Sequence, residues 1–440
     1  MLSLKNYNNK KIGILGLGKS GQAALSLLRN TTAKIFIYDD NLCKPHNSKF
    51  SQWKHYKEWE WKNLFRVIIS PGIKIDGENS HECVSLAKEN NVVLINEIQL
   101  LMERKPKAKI IGVTGTNGKS TLVSLVSHIL TKNKIKNSIG GNFGNPACLL
   151  NDPGPDGVII LELSSYQLLS IPSLKLDLAT IINLTPDHLD YHGTFESYVK
   201  AKINIIKHLK SDGKIIINKN DQLLKKYIED FNKFKLKKFF YISNYINFKI
   251  LKNIFGCHNE IIFNIAYVFC KTLGLDNKKI ITCFKSFVPL PHRMEVVFSS
   301  KNILVINDSK ATNGFSAAAA LSTYKNIYWI AGGLSKEGGL GEALKKLQNI
   351  EQIFLIGSSA KYFQKQINKV NPKIITSEFK KVEEAVKEIF KKISFIKNKK
   401  ITVLFSPATA SFDQFKNFEH RGEHFKKVIY KTLKKMDLKC

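Results

Sequence analysis

Several features that would indicate a secreted, membrane or zinc protein are missing from this 440-residue chain. No run of about 18 apolar residues occurs, so we expect no transmembrane span. The segment after Met1 is polar from Lys5 to Lys11 and contains no apolar signal sequence. The seven cysteines form no C-x-x-C pair and no zinc-like spacing, which favours reduced thiols in a cytosolic enzyme.

Acidic residues are also scarce. The chain has 36 Asp and Glu against 68 Lys and Arg, a formal net charge of +32. Such an excess would suit a nucleic-acid partner if it were concentrated on one arm or face. The lysines are instead spread along a chain rich in Asn, Ile and Phe, which indicates compositional drift. We therefore expect no nucleic-acid partner and no membrane insertion, while the charge would attract anionic substrates.

The length and the alternation of apolar strands with helical segments predict an α/β protein of three domains. Residues 1–95 form a Rossmann-like domain and residues 96–289 a central P-loop-type domain with a mostly parallel sheet. Residues 290–440 form a second Rossmann-like domain. Strands are predicted at 11–15, 33–38, 65–69, 157–161, 178–182, 214–218, 303–307, 327–331, 353–356 and 401–405. Polar loops follow these strands, at the sheet edge where α/β proteins bind ligands.

The segment from Ile110 to Thr121 has the pattern of a phosphate-binding loop. An apolar strand breaks into glycines, and a Lys-Ser-Thr triplet opens a helix. Backbone N–H groups and the helix dipole would face an anion, and a hydroxyl would reach Mg²⁺. Val113 stands where a strict Walker A motif has glycine, so a turn without ligand remains the alternative. The predicted contacts are Gly115, Thr116, Asn117, Gly118, Lys119, Ser120 and Thr121.

A second glycine pattern, Gly16-x-Gly18-x-x-Gly21 with Asp39 downstream, matches the dinucleotide fingerprint. Taken alone it predicts NAD binding. Any nucleotide diphosphate can use the same turn, and a tight turn without ligand is the third interpretation.

Acidic residues follow two predicted strands of the central domain. Glu162 at the end of its strand suits a Mg²⁺ ligand beside the phosphate loop, or is an exposed strand-end carboxylate. Asp187, His188 and Asp190 cluster after the next strand, where ordinary loop polarity is the alternative.

Lys202 breaks a helical pattern. Phe195, Val199, Ile206 and Leu209 define one apolar face at 100° per residue, and Lys202 falls near its centre. The lysine either extends its ammonium group past a core or is buried with a lowered pKa, which would allow modification of the neutral amine. Periodicity leaves both interpretations open.

Three loops of the last domain, 307–313, 332–336 and 406–418, are rich in hydroxyl and cationic groups. Together they could hold an anionic substrate.

Read in order, these segments resemble the Mur ligase family, over essentially the whole chain. The resemblance rests on the loop 112–121 with its Val113 departure, and on the segments 162–167, 185–190, 290–293, 307–313 and 406–418. The segments 307–313 and 411–418 are similar to those of the D-glutamate-adding members. The Asp-Asn-Pro-Arg motif of the diaminopimelate-adding members is absent.

The resemblance implies an ATP-dependent ligase that adds D-glutamate to UDP-N-acetylmuramoyl-L-alanine through an acyl phosphate, in cytoplasmic peptidoglycan precursor synthesis. It implies a monomer with ATP and two Mg²⁺ ions as cofactors and a carbamate on Lys202. The catalytic residues would be Lys119, His188 and Lys202. The metal ligands would be Ser120, Glu162, His188 and Lys202. Further ATP contacts would be Asn259, Arg293 and Asp308. The substrate contacts would be Gly18, Ser20, Asp39, Gly72, Asn142, Thr312, Lys336, Ser411 and Phe418.

Two positions depart from the family pattern. Ile262 replaces the second asparagine of an Asn-x-x-Asn pair near the adenine, and Asp40-Asn41 replaces Thr-Arg near the uracil. The rival hypotheses each use one feature. An NAD-dependent oxidoreductase uses the first glycine pattern, a P-loop kinase or motor ATPase uses Lys119, and a nucleic-acid-binding protein uses only the charge.

Overall fold

The computed structural model describes residues 4–42, 53–77, 79–218, 220–231, 239–242, 260–335, 338–396 and 399–436. Among these residues, those up to Phe287 form one compact unit and those from Val288 form a second. No helix of the described residues is long and apolar enough to cross a membrane.

The first unit contains two parallel sheets. The N-terminal sheet has the order β2-β1-β3-β4. Its strands are β1 (Lys11–Leu15), β2 (Lys34–Tyr38), β3 (Leu64–Ile69) and β4 (Val93–Ile95), and its helices are α1 (Lys19–Leu28) and α2 (Glu82–Glu89). Helix α3 (Glu97–Glu103) follows β4 and leads into the central sheet.

The central sheet has the order β10-β9-β8-β5-β7-β6, and all its paired strands are parallel. The strands are β5 (Lys109–Thr114), β6 (Asn137–Gly141), β7 (Val158–Glu162), β8 (Leu176–Ile181), β9 (Leu209–Asn218) and β10 (Phe239–Ile242). The helices are α4 (Lys119–Lys132), α5 (Ser165–Leu169), α6 (Leu189–His192), α7 (Phe195–Ile203), α8 (Gln222–Phe231), α9 (Glu260–Thr272) and α10 (Asn277–Lys285).

The second unit contains one six-stranded sheet of order β11-β12-β16-β13-β14-β15. Only its edge strand β11 is antiparallel to its neighbour. The strands are β11 (Glu295–Ser299), β12 (Ile303–Asn307), β13 (Ile327–Gly332), β14 (Ile350–Ile356), β15 (Thr376–Phe379) and β16 (Ile401–Phe405). The helices are α11 (Gly314–Thr323), α12 (Ala360–Val370), α13 (Val382–Ile393) and α14 (Phe418–Lys435).

The central strands of these sheets are apolar runs because helices cover both faces. All five residues of β7 and all five of β16 are buried, as expected for strands of a covered parallel sheet. The α/β prediction is therefore confirmed. The predicted strands at 11–15, 303–307 and 401–405 match the observed bounds.

One prediction of local structure was wrong. The apolar face assigned to a single helix from Phe195 to Leu209 belongs to three elements. Helix α7 ends at Ile203, a 3₁₀ helix spans Asn204–His208, and Leu209 begins β9. The tighter 3₁₀ turn keeps Ile205 and Ile206 in the core, so the apolar pattern survives a change of helix type.

Candidate active site

The phosphate loop joins β5 to α4 through glycines in conformations that other residues rarely adopt. Gly115 has φ +144° and Gly118 has φ +86°. A Cβ on Gly118 would lie 2.8 Å from the Cδ1 atom of Ile262. The departure at Val113 has a simple reason, since Val113 is a fully buried residue of β5 paired with Glu162 of β7. The chain there is still a strand and needs no glycine.

The loop closes around its own lysine. The Nζ atom of Lys119 donates to the carbonyl oxygens of Gly115 and Thr116, both at 2.8 Å. The segment after β8 supports the loop from the other side. The backbone N–H of Asn117 donates to the side chain of Asn183 at 2.9 Å, and the Thr116 hydroxyl donates to the Thr185 carbonyl at 3.1 Å. The backbone of the loop is thus fixed from both ends.

Two oxygen groups meet beside this loop. The Ser120 hydroxyl in the first turn of α4 donates to Glu162 Oε2 at 2.6 Å, and Asn142 Nδ2 donates to Glu162 Oε1 at 2.7 Å. Glu162 is only 2% exposed, so the interpretation as an exposed strand-end carboxylate was wrong. A hydroxyl and a carboxylate are the hard oxygen ligands that Mg²⁺ prefers. No group of three His, Cys, Asp or Glu side chains suited to a metal occurs among the described residues.

Lys202 is buried, 2% exposed, and its ammonium group donates to the Gly115 carbonyl at 2.9 Å. It also lies 4.6 Å from the ring centroid of Tyr198. Burial, reinforced by the charge of Lys119, holds the pKa of Lys202 well below its usual range. The alternative of an ammonium group that reaches solvent past a core was therefore wrong.

His188 lies in the left-handed region, with φ +54°, directly before α6. Its backbone N–H donates to Asp187 Oδ1 at 3.0 Å, and its ring lies 5.1 Å from that of Tyr166. Tyr166 is in α5, which begins directly after the Glu162 segment. The predicted cluster after β8 and the segment after β7 are therefore neighbours.

Sequence reasoning missed His192 in the same group. Its Nε2 atom lies 2.9 Å from the Ser165 hydroxyl, and its ring is parallel to that of Tyr166 at 5.5 Å. Burial is the main cause that lowers the pKa of His192 to about 4. His192 ends the four-residue helix α6, which is too short to show an apolar periodicity that a histidine could interrupt.

The N-terminal glycine pattern forms a tight turn at the carboxyl end of β1. A Cβ on Gly21 would lie 1.9 Å from the Gly16 carbonyl oxygen, so the turn itself requires that glycine. Gly18 and Gly72 are different, because a Cβ on either would meet nothing within 4 Å. Asp39 Oδ2 accepts from the Leu17 N–H at 2.6 Å and thereby orders the turn. Ser20 lies half-buried in the first turn of α1.

In the second unit, the loop after β12 is organised around Asp308. Its carboxylate accepts from the Ser406 hydroxyl at 2.7 Å and from the Met294 N–H at 3.2 Å. Burial raises the pKa of Asp308 to about 7, although Ser406 and the charge of Arg293 act in the opposite direction. The residue before this loop, Asn307, lies 2.9 Å from the Nδ1 atom of the buried His292.

The sequence analysis also missed Arg421, the residue that joins the loops after β12 and β16. Arg421 is 1% exposed, and its guanidinium donates to the carbonyl oxygens of Ser309 at 2.8 Å, Thr409 at 3.0 Å and Ala410 at 3.1 Å. It sits on the apolar face of α14, so the sequence signal was the same as for Lys202: one cation within an apolar stripe.

The predicted D-glutamate contacts in this unit lie on or beside these loops. Ser411 is buried, Thr312 is half-buried, and Phe418 begins α14 with the Nζ atom of Lys310 3.8 Å from its ring centroid. Lys336 and Asn259 lie outside the described residues.

Comparison with known proteins shows two matching domain families. The Mur ligase middle domain matches residues 113–261, and the family described as Mur ligase, glutamate ligase domain matches residues 292–409. The chain is also similar to curated proteins over nearly its full length. The UDP-N-acetylmuramoylalanine--D-glutamate ligase of Rickettsia felis is 33% identical, with 97% of this chain and 98% of that protein covered. The enzyme of the same name from Rhodospirillum rubrum is 33% identical, with 98% and 96% covered.

Solved structures show the same fold at lower identity. The MurF ligase from Thermotoga maritima in complex with ADP has a TM-score of 0.58 and 17% identity, with 98% of both chains covered. The pseudomurein peptide ligase type C from Methanothermus fervidus has a TM-score of 0.55 and 19% identity, with 96% of this chain and 100% of that chain covered.

Proposed function

Because the chain belongs to the Mur ligase family, we propose that it is an ATP-dependent ligase joining D-glutamate to UDP-N-acetylmuramoyl-L-alanine. The observation that carries the nucleotide part is the buried Ser120–Glu162 pair beside the phosphate loop. The D-glutamate part is supported by curated relatives of that name at 33% identity across nearly the whole chain. The NAD-dependent alternative leaves the phosphate loop without a role.

We propose an acyl-phosphate route. A carboxylate oxygen of the muramoyl-alanine attacks the γ-phosphorus of ATP, and the bond to the ADP oxygen breaks. The amine of D-glutamate then attacks the carbonyl carbon and loses a proton. The tetrahedral adduct releases inorganic phosphate with the bridging oxygen and leaves the amide. The chain supplies positioning and charge neutralisation, which are the main requirements of phosphoryl transfer.

Different residues at the edge of the central sheet would bind the phosphates and the Mg²⁺. Lys119 would turn from its own loop carbonyls to the phosphates and neutralise their charge. Ser120, Glu162 and His188 would hold Mg²⁺, which when bound neutralises phosphate oxygens and orients them. Gly118 and the first turn of α4 would present backbone N–H groups to the nucleotide, while the N–H groups of Thr116 and Asn117 hold the loop to Asn183. Asn142 keeps the Glu162 carboxylate in place.

We also propose that Lys202 carries a carbamate. A lowered pKa raises the share of neutral amine, whose lone pair can attack carbon dioxide and release a proton. The product is an anion whose two oxygens could serve as Mg²⁺ ligands. This would convert a costly buried cation into a metal ligand, which accounts for a lysine in the core beside Gly115.

The remaining assignments follow the three sheets. Residues 1–95 would bind the UDP moiety through Gly18, Ser20, Asp39 and Gly72. A Cβ on Gly18 or Gly72 would meet no atom within 4 Å, which leaves space for a ligand there. Residues 96–289 would bind ATP. Residues 290–440 would bind D-glutamate through Thr312, Lys336, Ser411 and Phe418, with Arg293 and Asp308 contacting nucleotide or acyl phosphate.

The test is ADP release by the purified chain with ATP, Mg²⁺, UDP-N-acetylmuramoyl-L-alanine and D-glutamate. We expect release only when both the acceptor and D-glutamate are present, and L-glutamate should not replace D-glutamate. Equal release without D-glutamate would refute the ligase assignment. Binding of nicotinamide cofactor without any such release would favour the oxidoreductase.

A further inference from the structure

Helix α3 begins with a buried carboxylate that the reaction described above does not use. Glu97 is 1% exposed. Its Oε2 atom accepts from the backbone N–H of Cys148 at 3.0 Å, and its Oε1 atom accepts from Gln167 Nε2 at 3.4 Å. The adjacent Asn96 donates to the Gln167 carbonyl at 2.8 Å and to the Ser170 hydroxyl at 2.9 Å. The first turn of α3 thus holds two separate segments of the central domain.

Both segments lead to Glu162. On one side, Gln167 Oε1 accepts from the backbone N–H and the hydroxyl of Ser164, each at 3.0 Å, and Ser164 lies two residues after Glu162. On the other side, Cys148 lies in a 3₁₀ helix just after the loop that carries Asn142, whose amide holds Glu162 Oε1. Glu97 therefore joins the segment that follows Glu162 in the chain to the segment after the loop that carries its partner Asn142.

A role limited to filling space would not require a carboxylate here. Burial raises the pKa of Glu97 to about 7, in spite of the hydrogen bonds from Cys148 and Gln167. An uncharged side chain of the same size would avoid that cost of desolvation. A carboxylate can accept a hydrogen bond on each of its two oxygens, whereas a side-chain amide has only one oxygen acceptor.

We propose that Glu97 is a positioning residue for the magnesium–nucleotide site, because it accepts hydrogen bonds from both segments that hold Glu162. The inference rests on the proposed function, in which Glu162 is a Mg²⁺ ligand. It assigns a role in the ATP site to the helix that follows the N-terminal sheet.

The stereochemistry gives a specific test. In Glu97→Gln the side-chain volume is unchanged, but the amide offers only one acceptor. If its oxygen keeps the Cys148 N–H, its NH₂ group faces the NH₂ group of Gln167. Gln167 can then flip only by turning a donor toward the Ser164 N–H. The exchange variant Glu97→Gln/Gln167→Glu restores an acceptor opposite each donor without a change in size.

The measurement is Mg²⁺-dependent binding of a non-hydrolysable ATP analogue by titration calorimetry, with ligase turnover in parallel. We expect E97Q to weaken binding in the presence of Mg²⁺ by about 5- to 20-fold, the effect of one unsatisfied buried group. Binding without Mg²⁺ should stay within about twofold. The exchange variant should recover to within about threefold of wild type. Gln99→Ala is the control, because Gln99 lies in the same turn of α3 but accepts from the Ser173 N–H, near the start of β8. Among the described residues Gln99 has no hydrogen bond to Cys148 or Gln167.

Three results would overturn the proposal: wild-type magnesium–nucleotide binding in folded E97Q, no recovery in the exchange variant, or an equal loss in Q99A. If E97Q does not fold, Gln167→Glu replaces it, because that variant places two carboxylates opposite each other at positions 97 and 167. Its weakened binding should again recover in the exchange variant. Failure of the proposed function would look different, because wild type would bind magnesium nucleotide without D-glutamate-dependent ADP release.

Discussion

Replacement of Arg421 by lysine should separate D-glutamate binding from ATP binding. The guanidinium spans three carbonyl oxygens at 2.8 to 3.1 Å, those of Ser309, Thr409 and Ala410. A lysine ammonium concentrates its donors on one atom and cannot span the same set. The Ala410 carbonyl also accepts from the Leu334 N–H. The carbonyls of Ser309 and Thr409 are therefore the two that lose their described donor. At about 1–3 kcal/mol each, the gross cost is about 2–6 kcal/mol.

Part of that cost is offset. Burial lowers the pKa of Arg421 to about 10, so the buried charge is unfavourable. A buried lysine loses its charge more readily than arginine and so avoids part of this penalty. We therefore expect Arg421→Lys to reduce the free energy of unfolding of the second unit by about 2–4 kcal/mol. Trp329, fully buried in β13 with its Nε1 atom bonded to the Ser406 carbonyl, is a fluorescence reporter of this unit. The other tryptophans, in the first unit, would be replaced by phenylalanine in both proteins compared.

The functional consequence is a displacement of the loops after β12 and β16, which carry Thr312 and Ser411. We expect the KM for D-glutamate to rise by about 10- to 100-fold, since small displacements of positioning groups cost that much. The KM for ATP should change by no more than about threefold. Lys431→Ala is the control, because Lys431 is an exposed residue of the same helix, where loss of a surface charge changes stability by about 0–1 kcal/mol. An unchanged KM for D-glutamate, or equal rises for both substrates, would refute the reasoning.

Three further predictions concern the first unit. Lys202→Ala should lose ADP release by about 100-fold and partly regain it with added short carboxylates; full activity without them contradicts the carbamate. Gly118→Ala should weaken nucleotide binding by about tenfold, because its Cβ would press on the side chain of Ile262. Gly154→Ala is the control, since Gly154 has a similar φ but open space around it, and it should not weaken binding. Equal effects of the two substitutions would contradict a role for the Ile262 contact. The pKa of His192, about 4 when folded and about 6.5 when unfolded, means that the unfolded chain binds more protons between these values. The full shift corresponds to a loss of stability of about 3 kcal/mol from pH 7 to 4, and the partial exposure of the ring reduces this to about 1–2 kcal/mol. Urea unfolding of His192→Gln should lack this part, and an unchanged pH dependence would contradict the reasoning.

The sequence was informative where one residue contradicted a regular pattern. Lys202 stood out against an apolar face and is buried, although the face continues through a 3₁₀ helix and into β9. Arg421 breaks the apolar stripe of α14 in the same way and could have been found by the same test. Val113 departs from the Walker A motif because this position still belongs to strand β5, which needs no glycine.

Other contacts had no local signal. Glu97 looks like an ordinary acidic residue in the first turn of a helix, where carboxylates favour the helix dipole. Its burial depends on Cys148 and Gln167, which are 51 and 70 residues away in sequence. His192 is in a short polar helix, and the rings of Tyr166 and Tyr198 partly cover its imidazole. Such contacts follow from the packing of several elements, which a single sequence does not specify.

The most direct test of the central claim follows one oxygen atom. The acceptor UDP-N-acetylmuramoyl-L-alanine is prepared with ¹⁸O in its free carboxylate and incubated with the chain, ATP, Mg²⁺ and D-glutamate. An acyl phosphate requires that the inorganic phosphate carry one ¹⁸O atom for each amide formed, and that labelled phosphate appear only with D-glutamate present. Unlabelled phosphate, or labelled phosphate formed equally without D-glutamate, would contradict the account.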